Sequence, residues 1–148
     1  MTSEAGSRPV RQQRILGGAA FPRTKREADR ERKANYDSSI AELRQLDSTS
    51  LADRMIDIAT EINHLVSSGE FSMDPRQRDR EAVRLLRVYK DSLESRALAA
   101  RDTALARLGP DAPGNHLPEY AYKSTNRTAL MNVPVDLRLL AAALKDVE

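Results

Sequence analysis

The chain has no cysteine and no tryptophan, and its 148 residues include only two phenylalanines, four tyrosines and two histidines. Without cysteine there is no disulfide framework, no thiolate zinc site and no thiol nucleophile. No apolar run approaches the roughly 18 residues that a membrane span requires. The first residues are rich in arginine, broken by Glu4, Pro9 and Gly17-Gly18, and lack the apolar segment of a secretory signal. The expected location is therefore the cytoplasm or the inside of a viral particle, not a membrane or a secretory route.

Chemical motifs are equally scarce. His64 has Thr60 and Ser68 at i±4, and His116 stands among prolines, so neither finds the ligand set that a metal needs. The serines cluster at expected helix ends, where hydroxyls cap backbone N–H groups, and no neighbouring base would activate one as a nucleophile. Gly17-Gly18 is not followed by a Lys-Ser/Thr pair and no strand precedes it, so it is no phosphate loop. The expectation is a protein with no catalytic residue, no metal, no cofactor and no small-molecule substrate.

Large apolar side chains are also few. Leu, Ile, Val and Phe number 31 of 148, close to the level at which independent folding becomes doubtful. Alanine, with 20 residues, fills helix contacts but buries little area each. So thin a core predicts that partner subunits supply part of the stability.

What is present is a charge pattern. The total of +2 resolves into +5 over residues 1–33, −6 over 34–74, +4 over 75–109 and −1 over 110–148. Such alternation predicts pairing between segments more than it predicts an overall field.

Prolines and glycines leave two windows free, 23–68 and 76–108, and these should hold the helices. Thr24-Lys-Arg-Glu27 matches a capping box and opens a helix over about 25–46. Asp47-Ser-Thr-Ser50 supplies the next cap. A second helix over about 51–67 carries Leu51, Met55, Ile58, Ile62 and Leu65 at 4-3-4-3 spacing, a coiled-coil-type seam. Asp74-Pro75 is an N-cap followed by proline at the first helical position, and Gly109-Pro110 is a stop. Between them a third helix over 75–108 carries Ala82, Leu86, Tyr89, Leu93, Ala97, Ala100, Ala104 and Leu108 on one face. Leu85, Val88, Leu98 and Leu105 fall off that seam, so more than one side is adhesive. The expected fold is all-α, with the second and third helices forming a long hairpin. An N-terminal helix, an extended Pro-rich connector over 110–131 and a short helix from Pro134 complete it. Three regions follow: a basic arm at 1–22, a helical body at 23–109, and a connector with a terminal docking helix at 110–148.

Three features point to partners. The arm places Arg8, Arg11 and Arg14 among Ile15, Leu16 and Phe21, a composition suited to groove docking with apolar anchors and a basic rim. Arg76, Arg80, Arg84 and Arg87 form a stripe down one face of the third helix, for phosphates or for the acidic segment before it. Leu137, Leu140 and Leu144 give the last helix an apolar docking face. The expected function is a non-enzymatic structural or assembly subunit of connector, ring or cementing type, as in a virion. It would bind other protein subunits, with copies of itself first among them. The alternative is a helical nucleic-acid-binding subunit of a packaging or regulatory oligomer.

Overall fold

The computed structural model describes residues 24–67, 80–123 and 127–147, with backbone alone at 80–84, 120, 123 and 127–129. The described chain is all-α: α1 (Lys25–Leu43), α2 (Ser48–Ser67), α3 (Arg80–Leu108) and α4 (Arg127–Asp146), with a 3-10 turn at Glu119–Lys123 before α4.

Local chemistry sets the helix ends. Thr24 Oγ1 accepts from the Glu27 backbone N–H at 3.1 Å and donates to the Glu27 carboxylate, which satisfies one of the free N–H groups of α1. Asp47 does the same for α2, accepting from the Ser50 N–H at 2.7 Å, and these bonds hold its carboxyl below the usual range. At the far end of α3, Gly109 adopts φ +95° and donates to the Leu105 carbonyl, a left-handed cap open to glycine.

The pairing of helices differs from the expected hairpin. α2 does pack against α3, but its most extensive partner is α4, and the most extensive partner of α1 is α3. Leu51, Met55 and Ile62 of α2 and Leu137, Leu140 and Leu144 of α4 are all fully buried in one apolar cluster. Lys145 reaches Asp53 at 3.0 Å and Arg138 lies 2.8 Å from the Asn63 side-chain amide, whose oxygen faces it once the amide is turned over, so α2 and α4 run antiparallel. Contacts of Arg32 with Asp91, and of Arg107 with the Leu43–Leu46 carbonyls, make α1 and α3 run in the same direction. Periodicity marks which face of a helix is apolar and leaves open what that face meets.

The C-terminal region is the largest departure. The helix expected to begin at Pro134 begins at Arg127, and Pro134 lies inside it. Proline there removes one helical hydrogen bond. Burial of Leu130, Val133 and Pro134 itself in the core offsets that loss, because the first turns of α4 are packed. The connector is correspondingly shorter, and it is folded onto the body. Gly114, with φ +100°, brings its backbone so close that a Cβ there would meet the Asp136 carbonyl at 2.6 Å. Leu137, Leu140 and Leu144 thus complete the chain's own core and do not form a docking face for another molecule.

Candidate functional site

Two polar constructions and one apolar ridge stand out from this frame. The first construction lies between α1 and α3. Tyr36, Ile40 and Leu43 give α1 a narrow apolar contact, and the rest of its inward face is polar. Arg32 crosses to Asp91 at 2.8 Å, and Tyr36 donates to Asp102 at 2.6 Å. Burial, then the Asp102 carboxylate, push the Tyr36 hydroxyl up to about 12. Between these bonds lies a cleft of about 450 Å³ whose walls include Arg32 and Tyr36 of α1 and Glu94 and Leu98 of α3.

Glu94 is the unusual member. Only 4% of it is exposed, and its Oε2 accepts from Lys90 at 2.7 Å within the same helix. Its other oxygen, Oε1, is buried without a hydrogen-bond partner, as is Arg32 Nε. Desolvation outweighs the Lys90 ammonium and lifts the Glu94 carboxyl to about 7, far above its ordinary 4.5. A buried carboxylate left half-satisfied is costly, and the cost marks a place where a ligand group would be welcome.

The second construction ties the connector to α4. Asp136, 3% exposed, accepts from the backbone N–H groups of His116 and Leu117 at 3.2 and 3.0 Å, and its other oxygen lies 2.9 Å from His116 Nδ1. The nearby Arg101 guanidinium sits over the Tyr122 ring at 5.6 Å and donates to Asn115. His116 thus faces a carboxylate that is spent on holding the loop. This is a latch. Among the described residues no group of three or more His, Asp or Glu could hold a metal ion, and no helix is long and apolar enough to cross a membrane.

The apolar ridge runs along the outer face of α4. Met131, Val135 and Leu139, at i, i+4 and i+8, are 46%, 54% and 39% exposed. On a helix this spacing makes a continuous ridge of about 12 Å.

The residues singled out in the sequence are distributed as follows. Arg8, Arg11, Arg14, Ile15, Leu16 and Phe21 of the arm lie outside the described residues, as do Arg76 and the Asp74-Pro75 start. Arg80 and Arg84 belong to α3 with backbone alone described, and Arg87 is exposed. Other arginines are engaged by the chain itself: Arg96 meets Glu61 at 3.4 Å, Arg54 meets Glu42 at 3.1 Å, and Arg107 donates to the Leu46 carbonyl at 2.6 Å. Sequence reasoning missed Glu94 and Asp136. Lys90 and Glu94 read as an ordinary solvated i,i+4 pair. The usable signal was the off-seam Leu98, which already implied that α3 is enclosed on more than one side.

No protein-family model, curated protein or solved structure matches this chain.

Proposed function

We propose that this chain is a non-enzymatic assembly subunit that binds a protein subunit, a second copy of itself, through the outer face of α4. The ridge of Met131, Val135 and Leu139 carries the reading, because three large apolar side chains in line are left in solvent by a chain that has few of them. The ridge is self-complementary. In an antiparallel two-fold pairing Val135 meets its own copy and Met131 meets Leu139, apolar against apolar throughout. Three side chains fall short of the roughly 1,000 Å² that a stable interface buries. The arm at 1–22, with Ile15, Leu16 and Phe21 among arginines, is the segment whose composition suits the remaining contact. A two-fold pairing closes at two copies, so a connector, ring or cementing role would need a second contact beside it.

The nucleic-acid reading has less support. Arg32, Arg54, Arg96, Arg101 and Arg107 are each engaged by the chain's own acids or carbonyls. Sedimentation of the full chain over a range of concentrations tests the proposal. Reversible self-association, abolished in Val135→Glu with unchanged helical circular dichroism, is the expected result. A wild type that stays monomeric throughout yet binds duplex with a steep salt dependence would replace it with the alternative.

A further inference from the structure

The α1/α3 cleft has no part in the assembly reading, and its chemistry is of a different kind. We propose that it is a binding site for a small organic cation bearing an ammonium or guanidinium group, held by the Glu94 carboxylate. The first argument is the orphaned atom. Glu94 is almost wholly buried, lines the cleft, and keeps Oε1 without a partner while Oε2 is held by Lys90. That oxygen lacks an N–H donor and is closed to solvent, so a ligand reaches it when the Glu94 side chain turns towards the cleft, and a charged donor then makes the stronger bond.

The second argument is the balance of charge. Asp29, Glu94, Asp102 and Glu119 line the cleft, against Arg32 and Lys33. Arg32 is bound to Asp91 at 2.8 Å and Lys33 to Asp37 at 2.7 Å, and the unpartnered Arg32 Nε is left for an acceptor group on the same ligand. The acidic excess therefore favours a cation. Size is the third argument. A volume of about 450 Å³ lies within the usual range of small-molecule pockets, with Leu98 and the Tyr36 ring for the apolar part of the ligand. The groups that face Glu94 are Lys90 and Asp91 from its own helix and Arg32 from α1. The Glu94 carboxyl, lifted to about 7, sets the pH response. Binding strengthens as its carboxyl ionises.

The test is calorimetric titration of the full chain with agmatine, which carries a guanidinium and an ammonium, and with inorganic phosphate as the anionic control. Agmatine should saturate one site, at least tenfold more tightly at pH 8.5 than at pH 5.5, with the Ser95 amide resonance shifting. Glu94→Gln should weaken it at least tenfold and remove the pH dependence, while Lys145→Gln, on α4 and outside the cleft lining, changes little. Should Glu94→Gln fail to fold, the wild-type pH pair decides alone. Absence of saturation at millimolar agmatine, equal affinity at the two pH values, equal affinity in a folded Glu94→Gln, or phosphate binding as tightly as agmatine would each overturn the site. The outcome is independent of whether the α4 ridge dimerises.

Discussion

The α2/α4 pair and the α1/α3 pair use the same secondary structure to opposite ends. Between α2 and α4 the contact is dry: Leu51, Met55, Ile62, Leu137, Leu140 and Leu144 are fully buried against one another. Between α1 and α3 it is polar and charged. Of all α1 residues only Leu43 is buried, and the pair is joined by Arg32–Asp91, Tyr36–Asp102 and the Arg107 clamp on the end of α1. Apolar burial contributes about 25 cal/mol per Å², whereas exposed ion pairs contribute about 0–1 kcal/mol each. Stability should reside in the first pair. The second is held loosely enough to enclose a cleft.

The largest expected effect is therefore in the dry pair. Leu137→Ala should cost about 2–5 kcal/mol, read as a fall in the urea midpoint, since a fully buried leucine leaves a cavity. A cost under 1 kcal/mol would break the comparison at its stronger side. Asp136→Ala sharpens it, because the latch covers the α4 end of the dry half. Losing that carboxylate leaves the His116 and Leu117 N–H groups unsatisfied, and about 1–3 kcal/mol should be lost in the same denaturation experiment.

In the polar half the expected signature is a dependence on pH. Glu94 holds its proton up to about 7 in the folded chain, against an ordinary 4.5. Between those values the folded state binds more protons than the unfolded state, so the Glu94 contribution is full below 4.5 and lost as pH rises through 7. The stability difference between wild type and Glu94→Gln should therefore shift towards Glu94→Gln with rising pH, by at most about 1.4 kcal/mol per unit. A flat difference over pH 4.5–7 would place Glu94 in water. The smallest effect belongs to Arg107→Ala. It removes a cap on carbonyls of Leu43, Arg44 and Leu46 and should cost about 1 kcal/mol or less by urea denaturation.

The same contrast governs how much could be read from the sequence. The all-helical class was legible, because the seam Leu51, Met55, Ile58, Ile62, Leu65 has helical spacing and few glycines or prolines interrupt it. Thr24, Asp47 and Gly109 mark ends by chemistry that acts within four residues. The partner of α2 was not legible, since α3 and α4 both offer apolar faces and only three-dimensional packing chooses between them. Pro134 misled for a related reason: its local preference for a first turn yields to burial of Leu130 and Val133. Of the candidate site, the off-seam Leu98 was marked and Glu94 was not. A glutamate four residues after a lysine looks the same in water and in a core, and only the surrounding α1 makes Glu94 a buried acid. The buried cluster draws on Leu137, Leu140 and Leu144 of α4, whereas α1 contributes Leu43 alone as a buried residue.

Native-state hydrogen exchange measured helix by helix tests the division directly. Amides of Met55 to Ile62 and of Leu137 to Leu144 should exchange only through global unfolding, with opening free energies that match the urea value. Those of Lys33 to Ile40 should open at a distinctly lower free energy, with weak dependence on denaturant. Equal protection in α1 and α2, or α4 opening before α1, would contradict the account.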